Sequence, residues 1–128
     1  GVSYQEMHQS CRELAQAGFV PVLAHTERYK CLIRRPSRIA AMKEEFPLLV
    51  QVNASIFLKQ LRFRLARFLS IAVNSNLLDF VASDAHGISS RVSNLMKAYD
   101  AIHGRYNNRL ADSLFQGHAM QNPLQTVV

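Results

Sequence analysis

Two apolar runs in this sequence have the length of buried strands, and both end in residues that bind metals. Phe80–Ala82 is followed within four residues by Asp84 and His86, and Phe19–Ala24 is followed directly by His25. A carboxylate and neutral imidazoles are suitable donors for a divalent transition metal. Because the same pattern occurs at two strand ends, we predict that His25, Asp84 and His86 form a metal site.

Two arginines lie close to these residues in sequence. Arg28 is three residues beyond His25, and Arg91 is five residues beyond His86. Guanidinium groups bind phosphate oxygens in a bidentate manner and stabilise the charge that develops during phosphoryl transfer. Together with a metal, Arg28 and Arg91 predict catalysis on a phosphate ester.

Phosphatase chemistry through a cysteine nucleophile is excluded. That mechanism needs an arginine six residues after the cysteine, but Ala17 follows Cys11 and Ser37 follows Cys31 at that spacing. The sequence also lacks a glycine-rich phosphate loop and a Gly-x-Ser-x-Gly elbow. We expect both cysteines to be free thiols in a reducing compartment.

Composition is that of a globular chain of one domain. The 128 residues are 48% hydrophobic and 19% charged. No apolar run approaches the ~18 residues of a membrane span, and no signal-peptide pattern is present, so we expect a cytoplasmic location without membrane insertion. The net charge is +6 and eleven of the fifteen cations are arginine. No nucleic-acid-binding signature accompanies this charge, so we expect no nucleic-acid partner.

Hydrophobic periodicity and capping residues predict the element order αβαβαβαα. Such alternation is typical of a parallel sheet covered by helices, in which functional residues collect at the carboxyl ends of strands. The predicted strands are Phe19–Ala24, Leu48–Asn53 and Leu77–Ala82. The predicted helices are Ser3–Ala17, Pro36–Glu45, Phe57–Asn74, Arg91–His103 and Asn107–Gln116, and a short tail around Asn122-Pro123 closes the chain.

Other polar and special residues are assigned structural roles. Pro21 inside the first strand predicts an edge position or a bulge. Glu27 and Tyr29 are interpreted as packing or solvent-facing loop residues. The remaining histidines, His8, His103 and His118, are interpreted as structural or exposed, and the solvated face of the third helix comprises Lys59, Arg62, Arg64 and Arg67.

Three segments together carry a family resemblance. The segments are Gly18–Tyr29, which contains His-Thr-Glu-Arg-Tyr, then Gln51–Ser55, and then Asp79–His86 followed by Arg91. They resemble the bacterial protein-tyrosine phosphatases of the polymerase-and-histidinol-phosphatase (PHP) superfamily. These enzymes are encoded with capsule or exopolysaccharide genes. The similarity extends along essentially the whole chain.

The resemblance implies a fold, a reaction and a site. The fold would be part of a distorted, TIM-like β/α barrel with parallel strands and covering helices, holding divalent metals that are commonly manganese. A metal-activated water would hydrolyse phosphotyrosine on the tail of the kinase that governs polysaccharide export. By position, His25, Asp84 and His86 match metal ligands, and Arg28 and Arg91 match phosphate-binding catalytic residues.

The sequence departs from the family pattern in length and at single positions. Family members are about twice as long and open with a His-x-His motif, so residues 1–128 resemble the C-terminal half of one PHP phosphatase domain. Thr26 stands where the family usually has proline. Three predicted strands cannot close a barrel. We therefore expect residues 1–128 alone to have little or no activity, and self-association is one way to cover the exposed sheet.

Two other functions remain open at this point. A PHP-type phosphatase could act on a small phosphomonoester such as histidinol phosphate, which requires the same metals and arginines. Alternatively, Arg62, Arg64 and Arg67 could belong to a non-catalytic basic module that binds nucleic acid or a protein. That module would bind with a steep salt dependence and without any need for His25, Asp84 or His86.

Overall fold

The computed structural model of the chain describes residues 2–58, 60–83, 96, 97, 99 and 101, and the backbone of residues 125–127. The helices in these ranges are α1 (Tyr4–Gln16), α2 (Lys30–Arg34), α3 (Ser37–Glu45) and α4 (Phe63–Asn74). The strands are β1 (Val20–Leu23), β2 (Leu49–Asn53), β3 (Phe80–Ala82) and β4 (Gln125–Val127). Short 3-10 helices follow β1 at Thr26–Arg28 and β2 at Ala54–Phe57.

The strands form one parallel sheet in the order β3-β2-β1-β4. The predicted α/β class and the three predicted strands are confirmed. The tail, however, contributes β4, which pairs with β1. The edge position predicted from Pro21 is therefore wrong, because β1 lies between β2 and β4. Pro21 is tolerated there because it is only the second residue of the strand, where a missing N–H removes little of the ladder.

Helix α1 begins and ends at its predicted signals. The side chain of Ser3 accepts a hydrogen bond from the backbone N–H of Glu6, and Gly18 has a φ of 93° just beyond the helix. Its buried face includes Met7 and Cys11. Burial raises the pKa of the Cys11 thiol to about 11, and both cysteines are free, as predicted.

Helix α4 begins later than the predicted helix Phe57–Asn74. The side chain of Asn53 accepts a hydrogen bond from the N–H of Ser55 and starts the 3-10 helix at Ala54–Phe57 instead. The α-helix begins only at Phe63. Polar side chains that bind nearby backbone groups favour such turns over a continuous helix. The predicted start at Phe57 was therefore wrong, because the α-helix begins at Phe63.

A polar contact fixes the entry to β3. The carboxylate of Asp79 accepts hydrogen bonds from the Val50 N–H at 2.8 Å and from Lys43 Nζ at 2.5 Å. Lys43 also donates to the Leu48 carbonyl at 3.2 Å. These contacts tie the end of α3 and the start of β2 to the start of β3, which sets the register of the two strands.

An exposed ion-pair cluster joins α1 to the end of α3. Glu45 accepts hydrogen bonds from His8 Nε2 at 2.6 Å and from Arg12 Nε at 2.9 Å, and these bonds lower the pKa of Glu45. The His8 ring also stacks on Tyr4 and Phe46. The interpretation of His8 as a structural residue is confirmed.

The core lies between the sheet and the helices. It is built from apolar residues of all four helices, of β1–β3 and of the 3-10 helix that follows β2. Its largest fully buried side chains are Phe57, Phe68, Phe80, Met7, Leu23, Leu32, Ile39, Met42, Ile56 and Val22. None of the helices described here is long and apolar enough to cross a membrane.

The predicted C-terminal helices are described only in part. Residues 96, 97, 99 and 101 are helical and lie within the predicted helix Arg91–His103. The rest of that helix and the predicted helix Asn107–Gln116 lie outside the described residues.

Candidate active site

The carboxyl ends of β1, β2 and β3 lie at one edge of the sheet. In register, Leu23 of β1 pairs with Val50 of β2, and Asn53 of β2 pairs with Ala82 of β3. The loops that follow these strands therefore leave the sheet side by side. This is the edge at which parallel α/β folds place their binding and catalytic residues.

His25 occupies a sharp turn at the end of β1. Its backbone is in the left-handed region, with φ 52° and ψ 49°. A non-glycine residue with positive φ is uncommon and is often found at functional sites. The turn leads directly into the 3-10 helix Thr26–Arg28, whose last residue, Arg28, is exposed. One short turn thus brings the predicted ligand and the predicted phosphate-binding arginine to the edge of the sheet.

Thr26 holds this turn against the sheet. Its side chain is fully buried, and its hydroxyl lies 3.0 Å from the Leu23 carbonyl and 2.8 Å from the Gln51 carbonyl. A hydroxyl has one proton, so the two carbonyls share a single donor. The contact joins the ends of β1 and β2 and supplies a structural role for the residue that departs from the family pattern.

We expect Thr26→Val to lower the free energy of unfolding by about 1–3 kcal/mol, because it removes a buried hydrogen-bond donor at constant volume. Urea denaturation followed by circular dichroism measures this loss. Thr26→Ser is the matched control, since it keeps the hydroxyl, and it should retain more stability than Thr26→Val. A Val variant as stable as the parent would contradict this role.

Glu27 is the residue of the site that sequence reasoning missed. One carboxylate oxygen accepts a hydrogen bond from the N–H of Asn53 at 2.8 Å, which links the His25 turn to the end of β2. The other oxygen is buried and has no hydrogen-bond partner among the described residues. Burial raises the pKa of Glu27, against the opposing effects of the Asn53 N–H and of nearby His25 and Arg28. No sequence spacing signals a contact across 26 residues.

The local chemistry of the turn fits a cation. A buried carboxylate oxygen without a protein donor is costly unless a positive charge compensates it. Here it lies on the same turn as an imidazole, and both are donors of divalent metals. His25 and Arg28 lie on the turn that follows β1, at the carboxyl edge of the sheet. The other three predicted site residues, Asp84, His86 and Arg91, lie outside the described residues. Within the described ranges, no group of three His, Cys, Asp or Glu side chains could hold a metal.

The parallel sheet with ionisable loops at its carboxyl edge places the chain in the α/β class. Residues 1–125 match the sequence model of the family described as capsular polysaccharide synthesis, CpsB/CapC. The match covers nearly the whole chain. The chain belongs to the CpsB/CapC family.

Named relatives support the same assignment. The tyrosine-protein phosphatase CpsB of Streptococcus agalactiae serotype V is 30% identical over 118 residues, which cover 88% of this chain and 48% of the relative. CpsB of Streptococcus pneumoniae is 28% identical over 134 residues, which cover 98% of this chain and 52% of the relative. The tyrosine-protein phosphatase YwqE of Bacillus subtilis strain 168 is 29% identical over 118 residues, which cover 90% of this chain and 45% of the relative. The chain spans about half the length of the relatives it matches.

The fold is similar to that of a solved structure. The matched chain comes from the crystal structures of YwqE from Bacillus subtilis and CpsB from Streptococcus pneumoniae, which are described as unique metal-dependent tyrosine phosphatases. The TM-score is 0.72 at 25% identity, and the similarity covers 95% of this chain and 49% of that one. The predicted parallel α/β fold and the predicted family resemblance are therefore confirmed.

Proposed function

We propose that the protein carrying this chain is a metal-dependent phosphatase that hydrolyses phosphotyrosine on a protein. The observation that carries the proposal is the turn His25–Arg28 at the carboxyl edge of the sheet. It occurs in a chain that is related over nearly its whole length to tyrosine-protein phosphatases. As substrate we propose the phosphorylated tail of a bacterial tyrosine kinase that regulates capsular or exopolysaccharide synthesis.

His25, Asp84 and His86 would hold the divalent metal, which we propose to be manganese. When bound, such a metal supplies a Lewis acid for the phosphoryl group and lowers the pKa of water towards neutrality. Arg28 and Arg91 would bind the phosphate oxygens and orient the ester for in-line attack. The free thiols of Cys11 and Cys31 support a cytoplasmic location.

Glu27 and Thr26 would act as positioning residues. Glu27 holds the turn to the backbone of Asn53, and Thr26 holds it to the carbonyls of Leu23 and Gln51. These contacts tie the backbone between β1 and α2 to the ends of both strands. The turn that carries His25 and Arg28 is thereby held to both strands, which would lower the entropic cost of binding a phosphate at this turn.

The test is hydrolysis of a phosphotyrosine peptide with added manganese. We expect turnover by the chain extended N-terminally to the length of its relatives, and little or none by residues 1–128. EDTA and the Asp84→Ala change should each abolish turnover in the extended chain. Glu44→Ala is the matched control, because Glu44 is an exposed carboxylate on α3, and it should leave turnover unchanged.

Failure of the extended chain to hydrolyse the peptide with any divalent metal would overturn the proposal. In that case, turnover of histidinol phosphate under the same conditions would favour a small phosphomonoester as the substrate. Turnover that survives Asp84→Ala would instead show that Asp84 is not a metal ligand needed for catalysis. Metal content measured together with the circular dichroism spectrum of each variant separates loss of the metal from loss of the fold.

A further inference from the structure

A groove with three arginines lies between α2 and α4. Its volume is about 500 Å³, and Ile33, Arg34, Phe63, Arg64 and Arg67 line it. We call this the basic groove. All three arginines and Phe63 are exposed. The groove is therefore a surface that a partner can reach.

The residues described as lining the basic groove include no acidic side chain. Within the described part of the chain, Arg34, Arg64 and Arg67 make no hydrogen bond or ion pair, whereas Arg12 pairs with Glu45. The sequence contains no Asp or Glu in residues 28–43 or 46–78, which include α2 and α4 in full. Three cations within one groove produce a positive potential that extends over roughly 8 Å at physiological salt. An anionic partner would relieve their mutual repulsion.

Phe63 adds an apolar contact to the basic groove. Its side chain is 81% exposed, although α4 buries Phe68, Leu69, Ala72 and Val73 on its other face. Phe63 is thus not part of the core. An exposed aromatic ring among arginines is typical of binding surfaces, which are enriched in both.

The basic groove lies close to the carboxyl edge of the sheet, where the candidate active site is. Helix α4 connects the parallel neighbours β2 and β3, so it runs back along the sheet and its first residues lie near the carboxyl edge. Helix α2 packs against both α4 and the 3-10 helix Thr26–Arg28. A single extended segment of protein could therefore contact Arg28 and the basic groove together.

We propose that the basic groove binds an acidic segment of the phosphorylated protein substrate, with an apolar side chain of that segment against Phe63. This inference rests on the proposed function, which supplies a phosphotyrosine protein at the adjacent edge. Binding at a second point on the same polypeptide raises the effective concentration of the phosphotyrosine at the active site. A nucleic acid is less favoured because the described lining residues offer one aromatic ring, where single-stranded binding sites use several for stacking.

The test compares two phosphotyrosine peptides of equal length, with Glu or with Gln at the flanking positions. The protein is the manganese-loaded chain extended to the length of its relatives. Dissociation constants come from fluorescence anisotropy on the same protein without manganese, which does not hydrolyse the peptides, and kcat/KM comes from phosphate release with manganese. The groove variant is Arg64→Gln with Arg67→Gln. Its matched control is Arg35→Gln with Lys97→Gln, which removes the same charge at exposed residues outside the lining.

We expect the parent and the matched control to prefer the Glu peptide about tenfold at low salt, with the difference in KM rather than kcat. The groove variant should reduce the preference to about twofold, and added salt should do the same to the parent. Equal dissociation constants for the two peptides, or equal losses in the groove variant and the control, would overturn the inference.

These outcomes are separable from the proposed function. Hydrolysis of both peptides with equal kcat/KM overturns the groove inference and leaves the phosphatase assignment intact. If neither peptide is hydrolysed, the proposed function fails, and anisotropy still reports whether the groove prefers the acidic peptide. Tighter binding of a single-stranded oligonucleotide than of the Glu peptide, lost in the groove variant, would assign the groove to nucleic acid and overturn the inference.

Discussion

Replacing Arg28 with glutamine is expected to lower kcat/KM for a phosphotyrosine peptide about 10²- to 10³-fold in the extended, manganese-loaded protein. This is the range found when one donor to a developing oxyanion is removed. Arg28 ends the 3-10 helix that begins after His25, so the change keeps the hydrogen bond from Thr26 to the Leu23 carbonyl and the one from the Asn53 N–H to Glu27. Steady-state kinetics on the peptide measures the loss.

Two controls define what Arg28 contributes. Arg28→Lys keeps the charge but not the planar fork of donors, and we expect it to recover only part of the activity. Arg35→Gln removes an exposed arginine at the end of α2 and should leave kcat/KM within twofold of the parent. Metal content should be the same in all variants. An Arg28→Gln protein with unchanged kcat/KM would contradict the phosphate-binding role.

Phe68→Ala is expected to lower the free energy of unfolding by about 3–5 kcal/mol, the usual cost of removing a phenyl ring from a packed core. The Phe68 side chain is fully buried and belongs to the core cluster between α4 and the sheet. Because small domains are stable by only about 5–15 kcal/mol, this change could remove most of the stability. The urea midpoint, followed by circular dichroism, measures the effect.

The same helix provides the control for this prediction. Phe63 lies on α4 five residues earlier and is 81% exposed. Phe63→Ala makes the same chemical change without opening a cavity, so we expect the free energy of unfolding to stay within about 0.5 kcal/mol of the parent. Equal midpoints for the two variants would show that α4 does not bury the face described here.

Local signals in the sequence predicted much of the fold. Apolar runs followed by ionisable residues identified β1 and β3, because a buried strand must end where charged side chains reach solvent. Ser3 and Gly18 marked the ends of α1, because capping chemistry is local. The alternation of helices and strands then implied a parallel sheet and the edge at which His25 and Arg28 lie.

Such local signals did not predict the contacts between residues that are distant in sequence. The start of α4 depends on Asn53 capping a 3-10 helix after β2, although the residues that follow have helical spacing. Strand β4 is a short segment whose pairing with β1 joins residues about 100 positions apart. Short strands are stabilised by their neighbours rather than by intrinsic preference, so their own composition does not identify them.

The sequence by itself determined the chemistry: an imidazole and a guanidinium three residues apart after a buried strand, in a chain related to phosphatases. The tertiary structure alone decided how that chemistry is held. It turned His25 into the left-handed region and joined Thr26 and Glu27 to β2. It also placed three arginines around one groove. The physical reason is that residue types and spacing carry local propensities, whereas hydrogen bonds and burial between distant segments exist only after the sheet has formed.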